Sequence, residues 1–321
     1  DPGPEDEPPT LFENPEPVAG GQDLVSFYMT PSYRMWDPSS VVFFSFALFF
    51  AMIMSDAGYS ALLGIILAGV WRRMGQSDTG RRLRTLFAVL VSVSLLWGIL
   101  TGGYFGISPP EGSILATLQI LDIRDADIMM PLSILIGAVH IIVANLGAAW
   151  IHRKSLRALA PIGWAILIIG GCALWMGTQG MVSEMFVTGG PWVMGAGLLL
   201  VLFFSSDKTN PLKRLLDGLV ALTGLTKAFG DVLSYLRLFA LGLASASLAI
   251  AFNDLAHQVG SISGFGMLLA LLILILGHGI NFILAIMSGF VHGLRLNYIE
   301  FFNWGLPEEG TVFRAFAKKQ I

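Results

Sequence analysis

The chain has 321 residues, 55% of them hydrophobic and 13% charged; soluble domains average about 25% charged residues, so this composition excludes an ordinary soluble globule and gives a polytopic membrane protein. A net charge of −3, with the basic residues in short clusters between apolar runs, excludes a nucleic-acid partner. The single cysteine, Cys172, lies within an apolar run and reads as a small core residue, with no disulfide framework and no thiol metal site around it.

The chain opens on "DPGPEDEPPTLFENPEP", acidic and Pro-rich, without the basic start and apolar core of a signal peptide; residues 1–36 read as a linker. Runs of about 20 apolar residues, the length that crosses a bilayer, follow near 41–71, 85–107, 131–151, 161–178, 191–205, 226–257 and 265–302. Basic residues recur at every second connection: Arg72, Arg73, Arg81, Arg82 and Arg84; His152, Arg153, Lys154 and Arg157; Lys208, Lys213 and Arg214; then Arg314, Lys318 and Lys319 in the tail at 307–321. The intervening connections carry Glu111, Asp122, Arg124, Asp125 and Asp127, then Glu184, then Asp254 and His257. By the positive-inside rule the first set is cytoplasmic and the second external.

The first run is too long for an ordinary span and holds Ser55, Asp56 and Gly58 in its middle. A carboxylate in mid-membrane is costly on one straight helix. The run is therefore expected to split into a hairpin of two helices of about 15 residues with "SDAG" at its tip, which gives an all-α protein of eight transmembrane helices with both termini cytoplasmic. The alternative, one long tilted helix with Asp56 facing a neighbour, puts the N-terminus outside, against Arg34. Beyond the next run Pro109, Pro110 and Gly112 mark a loop, and "SILATLQIL" at 113–121 predicts a short amphipathic helix on the outer surface.

The last two runs are the unusual ones. As one helix, Thr226 to His257 would extend roughly 48 Å against a hydrocarbon core of about 30 Å, so it must tilt or project, and the run from Phe265 is longer still. The cytoplasmic half of the former holds Asp231, Ser234, Tyr235 and Arg237, followed by "ALGLASASLAIA", whose small residues admit a close neighbouring helix. Asp231 and Arg237 point away from each other on a helical wheel, so the arginine needs an acid from elsewhere. Asp56, Asp231 and Glu300 are the chain's candidate intramembrane acids. A buried guanidinium keeps its proton and cannot relay protons; it can only attract and release a carboxylate that arrives, as a stator does when carboxylates pass in turn. On the last run His278, Asn281, Ser288, His292 and Arg295 fall within an arc of about 100°. They form one polar stripe running inward from the outer surface, able to carry water and protons; hydrogen bonds to neighbouring helices are the alternative reading.

"SYLRLFALGLA" (Ser234 to Ala244) and "HGLRLNYIEFF" (His292 to Phe302) resemble the two arginine-bearing motifs of the membrane subunit a of V-type ATPases, called subunit I in the A/V-type enzymes of archaea and bacteria. "DPSSVVFFSFALFFAMIMSDAGYSALLGI" (Asp37 to Ile65) resembles that family's opening hairpin and "PLSILIGAVHI" (Pro131 to Ile141) its fourth helix. The resemblance runs from about Pro9 to the end of the chain. It implies a stator domain over 37–306 that conducts H⁺ or Na⁺ between two half-channels while a ring of c/K (proteolipid) subunits turns. Further partners would be the central- and peripheral-stalk subunits and membrane lipid. Arg237 and Arg295 would face the rotor glutamates, Asp231 and Ser234 would line the cytoplasmic half-channel, and Ser245, Ser288, His292 and Asp56 the outer one; His278, Asn281 and Glu300 complete the expected ion-translocation set.

One departure stands out. Ten residues before the second arginine, where eukaryotic members carry a glutamate, this chain has Ala285; His278 and Asn281, further out on the same stripe, are the expected substitutes. The family's large N-terminal cytoplasmic arm has no counterpart here, and residues 1–36 would be the remnant that joined it. The implied location is a prokaryotic plasma membrane, favoured over a eukaryotic endomembrane. No cofactor or metal site is expected, and since no GxxxxGK[ST] loop occurs, ATP would be handled by other subunits. The rival reading is a self-contained secondary transporter, which predicts an internal repeat and Gly/Pro-broken helices in matching halves; no repeat is visible, and both arginines lie in the C-terminal third.

Overall fold

The computed structural model describes residues 7–206, 208, 210–262, 264–306 and 308–313. Among them the chain is helical, with three isolated β-bridges and no strand. The helices are α1 (Gly20–Tyr28), α2 (Ser39–Met54), α3 (Ala57–Met74), α4 (Asp78–Thr101), α5 (Ile114–Leu118), α6 (Ala126–Ile151), α7 (Leu159–Thr178), α8 (Met185–Phe204), α9 (Pro211–Leu222), α10 (Gly224–Leu233), α11 (Leu236–Gly260) and α12 (Gly266–Arg295). A π-helical turn (Leu296–Phe301) and the short α13 (Phe302–Gly305) follow.

Six segments among the described residues are long and apolar enough to cross a membrane: Asp78–Thr101, Ala126–Ile151, Leu156–Thr178, Met185–Phe204, Leu212–Gly260 and Gly266–Gly305. The two legs of the first run are not among them. α2 is apolar but only 16 residues long, and α3 ends on Arg72 and Arg73. The expected count of eight therefore becomes six full-length spans and two shorter legs.

The chain does turn back between those legs. Ser55 takes a left-handed conformation at φ 42° and ends α2, and Asp56 caps α3 by accepting from Tyr59 N. Helix α4 gives the direction of each leg. Ser55 Oγ accepts from Trp97 Nε1 near one end of α4, while both Phe43 and Leu86 lie against Gly20 near the other, so α2 and α4 run the same way. By contrast, Gly98 lies against Ala57, Gly64 against Val91, and the Arg84 guanidinium lies over the Trp71 ring, so α3 runs opposite. The turn thus sits beside the end of α4 that leads into loop 102–113, where Ala57 N donates to Gly103 O at 2.7 Å.

A helix that is apolar on every side is driven to the centre, and α2 occupies it. Phe43, Phe46, Phe49, Phe50, Met52 and Ile53 are all buried, packed between α4, α11 and α12. Glycines set the approach of the last two helices: Gly242 of α11 lies against Met52 O, and Gly289 and Gly293 of α12 lie against Phe50 and Phe46. The α7–α8 pair closes over Gly163, Gly170, Gly190 and Gly197, each with backbone of the partner helix where a side chain would be, the small-residue packing of membrane helices.

Four sequence expectations change. The run 226–257 is two helices meeting at Ser234–Tyr235, and 265–302 leaves α geometry after Arg295. The predicted surface helix at 113–121 is confined to Ile114–Leu118. Residues 7–36 pack on the bundle: Leu24 and Val25 of α1 are buried, Tyr28 stacks on Tyr298 at 4.7 Å, and Thr10 bridges to Val312. Apolar side chains in that acidic stretch explain this, because Leu24, Val25 and Trp36 gain more from the apolar bundle than Pro-rich composition costs.

Candidate functional site

The polar residues of α10 to α12 form two clusters, one at the end of the α11–α12 pair where α11 begins and one further along it, from Ser245 and Asn281 to Asn253 and His278. The inner one is built at the α10–α11 joint. Ser234 and Arg237 flank it, and the π turn, which inserts extra backbone after Arg295, swings Glu300 inward. Ser234 Oγ donates to Glu300 Oε1 at 2.5 Å. Glu300 is 3% exposed and its Oε2 is buried with no hydrogen-bond partner. Asp231 Oδ2 accepts from Trp304 Nε1 at 2.7 Å, and the Lys227 ammonium lies 5.3 Å from the Trp304 ring.

Arg237 is half-buried, with Nη1 buried and unpartnered, and it forms no ion pair among the described residues. Arg295 and Glu300 are within electrostatic reach of it. Arg295 stands on the exposed side of its helix. His292 lies within reach of both arginines and has a buried, unpartnered Nδ1. As their spacing requires, Asp231 and Arg237 do not pair.

Behind the joint, Tyr235 OH and His140 Nδ1 meet at 2.7 Å, and the His140 ring stacks on Phe301 at 4.4 Å and 12°. This buried contact ties α6 to both the joint and the π turn.

The outer cluster centres on Tyr59, one turn into α3. Asn253 Oδ1 can only accept, so His278 donates to it from Nε2 at 3.0 Å. Nδ1 is then the acceptor for Tyr59 OH at 2.7 Å, and the Tyr59 oxygen accepts in turn from Asn281 Nδ2 at 3.0 Å. Asn281 also donates to Ser245 O at 2.9 Å and accepts from Ser245 Oγ at 3.4 Å. With His278 carrying its one proton on Nε2, the result is a directional chain of donors from Ser245 through Tyr59 to Asn253.

Asp56, expected to line a path, serves the turn. Its Oδ1 accepts from Tyr59 N at 2.9 Å and its Oδ2 from Gly106 N at 3.0 Å, and it is 4% exposed. Backbone donors at a helix start offset the burial of that carboxylate.

The clusters are not one stripe. Along α12, Asn281 and His292 are about 16 Å apart, and between them Ala285 is buried while Gly289 lies against the Phe50 ring. Ser288 lies half-buried in that stretch, with no side-chain hydrogen bond among the described residues. The structure brings His278, Asn281 and Ser245 together and gathers Asp231, Ser234, Arg237, Arg295 and Glu300 around the joint, whereas His292, expected on the outer path with Ser245, Ser288 and Asp56, lies near the two arginines. Sequence reasoning missed Tyr59, Asn253, His140 and Trp304, which come from other elements or lie outside the stripe. The one signal for Tyr59 was its place three residues after the capping Asp56. Among the described residues no group of three or more His, Cys, Asp and Glu is placed to hold a metal ion.

No protein-family model matches the chain. Curated relatives do. The chain is 30% identical to the V-type ATP synthase subunit I 1 of Treponema pallidum over 99% of its own length and 54% of the relative's. It is 29% identical to the V-type ATP synthase subunit I of Chlamydia pneumoniae (98% and 56%) and 28% identical to the A-type ATP synthase subunit I of Methanocaldococcus jannaschii (98% and 49%). The chain thus spans about half the length of the curated relatives it matches.

Proposed function

We propose that this membrane protein, homologous over nearly its whole length to subunit I of V-type and A-type ATP synthases, is the membrane stator of a rotary ATPase. A ring of proteolipid subunits carries carboxylates past Arg237 while H⁺ or Na⁺ passes between two half-channels. The observation that carries this reading is Arg237 itself: a permanent cation in a membrane segment, partly buried, with no acid paired to it among the described residues. Such a charge is costly until an anion answers it. Glu300, held by Ser234, is near enough to moderate the field without neutralising it.

The anion then comes from another chain. Ala240, Ala244, Ser247 and Ala251 lie exposed along α11 beyond Arg237, and such a small-residue face lets a ring helix approach closely. Asp231, Ser234 and Glu300 supply the polar lining of the cytoplasmic path. His278, Asn281, Ser245, Ser288 and His292 supply that of the outer path, where the Tyr59–His278 chain of donors takes the place of a glutamate at Ala285, and Asp56 holds the hairpin tip that walls it. Central- and peripheral-stalk subunits complete the assembly, with both termini of the chain cytoplasmic.

In the assembled enzyme Arg237→Ala should abolish ATP-driven ion transport, and Arg237→Lys should do nearly as badly because an ammonium lacks the planar, delocalised fork. Normal coupled transport by either variant would overturn the stator reading.

A further inference from the structure

Where α6 ends, a cavity of about 360 Å³ opens between its last turn and the segment before α2, lined by Arg34, Trp36, Trp150, Arg153 and Lys154. Two contacts hold its walls. The Trp36 ring lies flat on α6 at Gly147, where a side chain would meet Trp36 Cε2 at 2.4 Å, and Trp36 Nε1 donates to Gly305 O at 3.1 Å. The Arg153 guanidinium lies over the Trp150 ring at 4.6 Å and spends one donor on Trp150 O at 3.3 Å, leaving most of its five N–H groups free.

Three cations thus share one pocket with no carboxylate among its lining residues. The nearest acid in sequence, Asp37, is committed elsewhere, accepting from Asn14 Nδ2 and Ser39 N, each at 2.8 Å. Like charges gathered this way repel until an anion enters, and guanidinium and ammonium groups together suit a phosphate. The position of the pocket selects among phosphates. It sits at the end of a membrane-spanning segment beside two tryptophans, which favour the headgroup level of a bilayer. Along α6, the exposed Val139, Leu146 and Trp150 fall within about 40° of one another on a helical wheel, an apolar track ending at the pocket mouth.

We propose that this pocket binds the phosphate of an anionic phospholipid, with its acyl chains along the Val139–Leu146–Trp150 track, fastening the segment before α2 to the end of α6. This assignment is independent of the stator reading. The purified full chain, titrated in mild detergent and followed by native mass spectrometry, should retain phosphatidylglycerol at least tenfold more tightly than phosphatidylcholine with the same acyl chains. Arg34→Gln/Arg153→Gln/Lys154→Gln should bring the two lipids level, with about fivefold lost per charge. Lys154→Gln alone, a change at an exposed side chain that the fold tolerates, should lose about fivefold. Arg72→Gln/Arg73→Gln, in another basic cluster, should lose nothing. Equal retention of the two lipids, wild-type retention by the Lys154 and triple variants, or full displacement by millimolar inorganic phosphate, which would make the ligand free phosphate, would each overturn the proposal.

Discussion

Tyr59 is the residue on which the outer cluster turns. Its hydroxyl donates to His278 and accepts from Asn281, so one oxygen satisfies groups from α12 while its own backbone caps on Asp56. Tyr59→Phe keeps the ring and removes that oxygen. The buried Asn281 and the half-buried His278 then each lose a bond, and a buried unmet group costs about 1–3 kcal/mol. The thermal midpoint of the detergent-solubilised protein should fall by several degrees, and further in the double variant Tyr59→Phe/Asn281→Leu, since the second change also breaks the bonds of Asn281 to Ser245. A midpoint unchanged in Tyr59→Phe would mean that the chain of donors contributes nothing to the fold. The polar character of His278 and Asn281 was legible from their spacing. Their partner was not, because Tyr59 lies more than 200 residues away and nothing along α12 points to it.

Helices here meet at glycines, and the closest approaches are to backbone. A side chain at Gly242 would fall 2.5 Å from Met52 O, so Gly242→Ala must push α11 away from α2, the helix at the centre of the core. Overpacking of this kind costs about 1–3 kcal/mol, and the displaced α11 carries Arg237. Gly230→Ala is the matching control: nothing lies within 4 Å of a side chain there, and alanine in a helix interior is favoured over glycine by about 1 kcal/mol. Thermal midpoints should therefore move in opposite directions, down for Gly242→Ala and slightly up for Gly230→Ala. A stable Gly242→Ala protein would show that the α2–α11 contact is looser than its geometry. The long apolar runs announced these helices. The joint at Ser234–Tyr235 and the π turn after Arg295 left no periodic trace, since both keep helical backbone and change only which residues share a face.

The connections divide into two sets across the molecule. α3 joins α4 by a short link flanked by Arg72, Arg73, Arg81, Arg82 and Arg84, α6 joins α7 past Arg153, Lys154 and Arg157, and α8 joins α9 past Lys208. Loops 102–125 and 179–184 lie at the opposite ends of α4, α6, α7 and α8, and 261–265 joins α11 to α12. With Cys172 removed, cysteines at Gln76 and Lys208 should be labelled by a membrane-impermeant reagent from the cytoplasmic side alone, and cysteines at Glu111 and Ile262 from the outside alone. Labelling from outside of a cysteine at the exposed Tyr33, before α2, would contradict the turn at Ser55–Asp56, because a single straight helix through that point puts everything before it outside. The exposed apolar side chains of α12, among them Leu268, Leu272, Ile275, Ile283 and Met287, fit a surface that meets lipid or another membrane chain rather than water.

Composition alone determined that this chain belongs in a membrane, because a chain so poor in charge cannot cover its own surface in water. The break at Ser55–Asp56 was equally readable, since a carboxylate inside an apolar run has to find donors and a helix start supplies them. Arg237 was conspicuous for the same reason: a charge that cannot be neutralised has few tolerable places. Pairing was beyond one dimension. Whether Glu300 meets Ser234, whether Asp231 is taken by Trp304, and whether the polar residues of α12 form one stripe or two clusters depend on how tilted helices cross and on a π turn that rotates one segment against another. Those angles follow from the packing of Phe46, Phe50 and the glycines opposite them, contacts that exist only once α2 is enclosed by the helices that come after it.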